Sequence, residues 1–193
     1  MREEIALHIQ GPVAFFLRGI NVNGIRISMA DLKACLQEAG YSRIQTILAT
    51  GNVVCVPPLG LSGDACKIDI ERILTQRFAY PASVHLRTPA ALATLKNRAA
   101  QLHVAIDQQC YALIADAPSV IEALATAYAA LPSDSRQCFV ACGSDALWIV
   151  PKGETLSAPF GNIVLGSARY KTHVTSRTMA TIEKVEIMCA KYQ

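Results

Sequence analysis

Arg18, Asn21, Asn23 and Arg26 fall in one short segment punctuated by Gly19 and Gly24. A guanidinium offers a planar fork of donors that matches phosphate or carboxylate, and side-chain amides add more donors. Glycines let the backbone approach a ligand closely. The segment also runs into a predicted helix, whose first N–H groups lack intrahelical partners and whose dipole favours negative charge. The chemistry such a loop offers is capture of a small anion. It has neither the Gly-Lys-Ser/Thr of a phosphate loop nor a GxGxxG pattern, so the signal is of low specificity. The competing account is structural, with glycines for the turn, asparagines for Asx turns and Arg18 tying down a carbonyl.

Thr50, Gly51 and Asn52 form a second polar cluster. Gly and Asn tolerate positive φ, so the tripeptide reads first as a hairpin tip. The end of the first strand and this tip are expected at opposite edges of one sheet. A five-residue strand spans ~17 Å, so Arg18 and Asn52 are not expected to share a small ligand. Arg177 is a further candidate cation near the C-terminus.

Other chemistries find less support. His8, His85, His103 and His173 are isolated, with no HExxH. Cys138 and Cys142 share a strand face, but ~13 Å of strand separates them, too far to chelate together. No metal and no cofactor is expected, and no residue set selects a catalytic reaction. The seven cysteines are odd in number, scattered and without CxxC, and are expected to be reduced, mostly buried thiols.

The chain has 193 residues, 52% apolar and 17% charged, with a formal net charge of +3. This is a globular composition, far from the dense basic stripes of a nucleic-acid binder. The N-terminal segment carries Glu3 and Glu4 and lacks the apolar core of a signal peptide. No run approaches the ~18 apolar residues of a membrane span. A soluble, cytoplasmic protein is expected, with a small anionic molecule as its partner and no membrane.

The elements that must position these residues follow from pattern. Strands are predicted at Val13 to Leu17, Arg43 to Ala49, Val53 to Val56 and Ser83 to Arg87. Between them lie a helix after Ser28, capped with help from Asp31 and ended at Gly40, and a helix from Asp64 to Phe78. The order βαββαβ is that of a ferredoxin-like unit, an antiparallel sheet covered by two helices. A helix from Pro89 to Ala100 bridges to a second βαββ run: Tyr111 to Ala115, a helix from Pro118 to Ala130 capped by Asp116, then Gln137 to Cys142 and Ala146 to Val150. Beyond Pro151 the pattern degrades to a weak strand near Ile163 to Leu165 and a last helix from about Ser176 to Ala190. The fold expected is α+β, two ferredoxin-like halves with antiparallel sheets, residues 1–100 and 101–193, the second degenerate.

Three segments carry a family resemblance: Phe16-Leu17-Arg18-Gly19-Ile20-Asn21-Val22-Asn23-Gly24, Thr50-Gly51-Asn52-Val53-Val54 and Thr175-Ser176-Arg177. Together, and in spacing from about Val13 to Val185, they resemble the family called domain of unknown function 1697, known from bacteria. The resemblance implies paired ferredoxin-like halves and no particular activity. The chain departs from the family at Asn23, where members carry Gly, and at Thr50, where they carry Ser. It departs most at Arg177 to Thr181, where members read Arg-Asn-Trp-Asn-Thr and this chain has lost the amides and the indole.

Two functions from different classes are therefore expected in competition. One is small-molecule or anion binding by the Arg18 to Gly24 loop with help from Arg177. The other is a protein-interaction or oligomerisation module. Nucleic-acid binding by stacking ranks below both, because the third strand, Asn52 to Val56, has no aromatic residue and the first offers Phe15 and Phe16 on opposite faces.

Overall fold

The computed structural model describes residues 11–20, 26–61, 63–170 and 172–192. The first run of elements is β1 (Val13–Arg18), α1 (Met29–Glu38), β2 (Ser42–Ile47), β3 (Asn52–Val56), α2 (Gly63–Phe78) and β4 (Ser83–Arg87). The strands form one sheet in the order β2-β3-β1-β4, antiparallel at every pairing. This is the connectivity of a βαββαβ unit.

β1 is apolar on both sides, which suits a central strand buried on both faces. Val13, Phe15 and Leu17 join Leu32 and Leu36 of α1 and Ile70 and Leu74 of α2 in one core. Ala14 and Phe16, on the opposite face, are equally buried. α1 starts where the sequence places it. The Ser28 hydroxyl oxygen accepts the Asp31 amide at 3.0 Å and its proton goes to the Asp31 carboxylate at 2.7 Å. A cap of this kind contributes about 1 kcal/mol.

The second run is α3 (Pro89–Ala100), β5 (Gln108–Ala115), α4 (Pro118–Ala129), β6 (Cys138–Cys142), β7 (Asp145–Pro151), α5 (Pro159–Gly161), a π-helical turn (Asn162–Gly166), β8 (Val174–Thr178) and α6 (Met179–Ala190). Its sheet order, β6-β7-β5-β8, reproduces the first, again antiparallel throughout. Trp148 and Phe160 are fully buried in its core, their ring centroids 5.4 Å apart and edge-to-face. Burying each ring contributes roughly 2–3 kcal/mol.

By contacts the chain divides into two units. One holds the residues up to Pro89 together with those from Lys184 onward, and the other holds Ala90–Glu183. α3 thus groups with the second unit and the end of α6 with the first.

Three details of the expected second half are corrected. The apolar run Ile163 to Leu165 is no strand but part of the π-helical turn that continues α5. Gly161 at the junction lies so close to the Thr155 carbonyl that any Cβ there would collide with it. Val174–Thr178 is a strand rather than the opening of the last helix, and α6 begins only at Met179. Asp116 does not cap α4, because it sits one residue before the cap position, Ala117, which makes no side-chain cap bond. Its amide instead donates to the His173 carbonyl at 3.0 Å, and its carboxylate lies 3.4 Å from His173 Nδ1.

Candidate functional site

Arg18 is the last residue of β1 and is half-buried. Burial pulls its guanidinium pKa below the ordinary arginine value. Across the β1–β4 ladder Arg18 stands opposite Ser83, the first residue of β4.

The β2–β3 tip lies beside this strand end, which corrects the expected separation. The Leu17 amide donates to the Gly51 carbonyl at 2.7 Å, and Phe16 pairs with Asn52. The reason is directional. β3 runs antiparallel to both β1 and β2, so β1 and β2 point the same way. The end of β1 and the turn leaving β2 therefore share one end of the sheet, where α1 also begins.

Gly51 shows how closely the two segments meet. Its φ is +75°, and a Cβ built on it would stand 2.7 Å from both Ile20 Cδ1 and Leu17 Cβ. Only glycine fits that backbone and that gap. Asn52 is fully buried, and its side-chain Nδ2 donates to the Ile47 carbonyl at 2.8 Å and to Thr50 Oγ1 at 2.9 Å. Those bonds close the tip, so the Asn52 amide is a structural tie. Thr50 is the member of the trio that is exposed.

The remaining candidates fall elsewhere. Asn21, Asn23 and Gly24 lie outside the described residues. Arg26, which follows them, is exposed, and Ile27 turns into the core beside Leu17 and Ile20. Arg177 belongs to β8 of the second unit. Its Nη1 donates to Thr175 Oγ1 and to the Ser176 carbonyl, both at 2.8 Å.

The sequence reading set one residue of this region aside as an isolated histidine. His85 pairs with Phe16 across β1–β4 and is 1% exposed. Directly paired residues of an antiparallel ladder share a face, so Asn52, Phe16 and His85 form a row, with Arg18 on the same face. A lone histidine in Ser-Val-His-Leu-Arg carries no spacing signal, and only the register brings it into line with Arg18.

Among the described residues no group of three His, Cys, Asp or Glu side chains is placed to hold a metal ion. All seven cysteines are free thiols. No described helix is long and apolar enough to cross a membrane. Among the described residues, half-buried Arg18 and the exposed Thr50 are the polar side chains named in the sequence reading that fall at this end of the sheet without lying in its core.

Comparison with known proteins points the same way as the topology. No curated protein matches the chain. The solved structure of a conserved bacterial protein from Streptococcus pneumoniae is similar, with a TM-score of 0.74 at 20% identity, over 92% of this chain and 98% of that one. At that identity the likeness establishes the shared α+β fold. Residues 12–142 match the family described as protein of unknown function (DUF1697). That span holds β1, the Arg18 segment and the Thr50-Gly51-Asn52 tip, and the chain belongs to the DUF1697 family.

Proposed function

We propose that the chain binds a small anionic molecule at the end of the first sheet, with Arg18 as the principal cation. The observation that carries this reading is the meeting of β1's end with the β2–β3 tip at the Leu17 to Gly51 bond of 2.7 Å. A half-buried guanidinium and the exposed Thr50 lie at that end of the sheet. A partly desolvated guanidinium gains more from an anion than one in open water, because the local dielectric is lower.

The test is a thermal-shift series with inorganic phosphate, nucleotides, sugar phosphates and dicarboxylic acids on the wild type and on Arg18→Met. Binding to the folded state raises the melting temperature by mass action. The expected result is a rise with at least one anion that is lost in Arg18→Met, while the variant alone stays within ~0.5 kcal/mol of wild-type stability. A stability loss of about 3–5 kcal/mol in the variant would instead make Arg18 a structural ion. No anion raising the wild-type melting temperature would leave the interaction-module reading in its place.

A further inference from the structure

β6 is an edge strand of the second unit. It pairs β7 along its whole length and, among the described residues, no strand lies on its other side. Its sequence, Cys138-Phe139-Val140-Ala141-Cys142, is uncharged and carries cysteine at both ends with Val140 at the centre. Cys138 and Ala141 are exposed, and Cys142 is half-buried. An open row of backbone donors and acceptors on such an edge is a template for another strand.

Which groups form that row follows from the turn. Gly143-Ser144 joins β6 to β7, with Gly143 at a φ of +63°, as the first position of a type II′ hairpin turn requires. A two-residue hairpin closes on a pair that exchanges both hydrogen bonds, here Cys142 and Asp145. The pattern alternates from there. Cys142, Val140 and Cys138 therefore turn their N–H and C=O groups to β7, while Phe139 and Ala141 turn theirs outward.

A second β6 can be laid antiparallel along this edge with Val140 facing Val140. Phe139 of each copy then stands opposite Ala141 of the other, and their outward groups exchange hydrogen bonds at both pairs. No other antiparallel register within β6 uses all of those groups. The same register sets Cys138 of each copy opposite Cys142 of the other, on one face and at a pair that shares no hydrogen bond. Cα atoms at such a pair stand about 4.5 Å apart, inside the ~4.4–6.8 Å that a disulfide needs. Within one chain ~13 Å of strand keeps the two cysteines apart.

We propose that β6 is the contact edge of a two-fold dimer of this chain, locked by hydrogen peroxide through Cys138–Cys142 disulfides between the copies. The backbone bonds of one short strand do not offset the cost of bringing two chains together, so the reduced protein associates weakly. The exposed Cys138 thiolate attacks a peroxide oxygen, the O–O bond breaks, and hydroxide leaves and takes up a proton to become water. The Cys142 thiolate of the other copy then attacks the sulfenic sulfur, the S–O bond breaks, and a second hydroxide leaves and becomes water. Each disulfide thus consumes one peroxide and oxidises two thiols. None of the anion-site residues takes part, so neither proposal depends on the other.

The test is complementation between Cys138→Ser and Cys142→Ser, followed on non-reducing gels after hydrogen peroxide treatment. Melting temperatures check that each variant folds, and Cys138→Ala with Cys142→Ala provides a second pair. Wild type is expected to run as a dimer that dithiothreitol reverses, with five thiols per chain left to titrate, the seven less the two of β6. Either variant alone should stay monomeric, because its remaining cysteine faces the replaced position, whereas an equimolar mixture of the two should give dimer. The proposal is overturned if wild type stays monomeric, or if the mixture gives no dimer. It is equally overturned if Cys142→Ser alone dimerises as fast as the mixture, which would be random collision of exposed Cys138 thiols.

Discussion

Asn52 and Asp145 hold one topological position in the two units: each is the first residue of the third strand of its sheet, and each is buried and polar. Asn52 faces Phe16 and Asp145 faces Ile114 near the ends of their units' first strands. Their bonds run in opposite senses. Asn52 donates back into its own tip, whereas the Asp145 carboxylate accepts the Ala115 amide of the neighbouring strand at 3.3 Å. An amide suits the first environment and a carboxylate the second.

Exchanging these chemistries at Asn52 should therefore be costly and pH-dependent. Asn52→Ala removes the donor to the Ile47 carbonyl and is expected to lose about 1–3 kcal/mol. Asn52→Asp places an acceptor against that carbonyl, and burial raises its folded-state pKa above the unfolded value. The ionised form carries the penalty, so the loss is largest at neutral pH, about 3–5 kcal/mol, and shrinks as pH falls through the folded pKa. Urea unfolding of both variants across pH measures it. A pH-independent Asn52→Asp penalty would contradict the bonding described.

Gly51→Ala tests the contact between tip and strand end. Positive φ and the clash with Leu17 and Ile20 should together cost about 2–4 kcal/mol. Equilibrium denaturation near wild-type stability would mean that the tip does not press on Leu17.

The thiols should react in an order set by burial. Cys138 is exposed and Cys142 half-buried, while Cys35, Cys55, Cys66, Cys110 and Cys189 are buried. Burial pushes the Cys66 and Cys110 thiols up to about 11 and Cys189 to about 12, leaving almost no thiolate at neutral pH. Ellman's reagent should label Cys138 first in the native protein, Cys142 more slowly, and all seven only in denaturant. A total short by two in denaturant would reveal a disulfide.

Asp134 predicts an acid-side effect. Gln137 and then Arg136 hold its carboxyl down to about 2. A depressed folded pKa contributes stability above the ordinary carboxylate pKa of about 3.9, and that contribution is lost as pH falls towards 2. The group is solvent-exposed, so the effect is small. Melting temperatures of wild type and Asp134→Asn should differ at neutral pH and converge at the acid end. A constant gap would assign the role of Asp134 to packing.

Much of the frame was legible because local signals agreed with the fold. The strand Ser83–Arg87 and helix Pro89–Ala100 end where Pro81, Thr88 and Pro89 dictate, and Ser28 with Asp31 marks the start of α1. β8 was not legible. Val-Thr-Ser-Arg-Thr has one large apolar residue, and what makes it a strand is the edge of β5, which it pairs from Ala115 to Tyr111. The π-helical turn was hidden for the opposite reason, since Asn162-Ile163-Val164-Leu165 has strand-like composition and is bent by packing around Phe160 and Gly161. At the site, residue types were readable but their meeting was not. The place of Asn52 beside Phe16 depends on strand direction, and the alignment of His85 with Arg18 depends on register.

The two sheets also differ in how their outer strands meet the world. β2 breaks register between Ser42 and Gln45, with Arg43 at a φ of +50° and its guanidinium over the Tyr192 ring. Such a bulged, charged margin resists the addition of a foreign strand. β6 has no such guard: Cys-Phe-Val-Ala-Cys pairs β7 without interruption and carries no charge, with Cys138 and Ala141 exposed. Under stress, self-association of this protein should begin at β6, and a lysine in place of Ala141 is the smallest change that would insulate it.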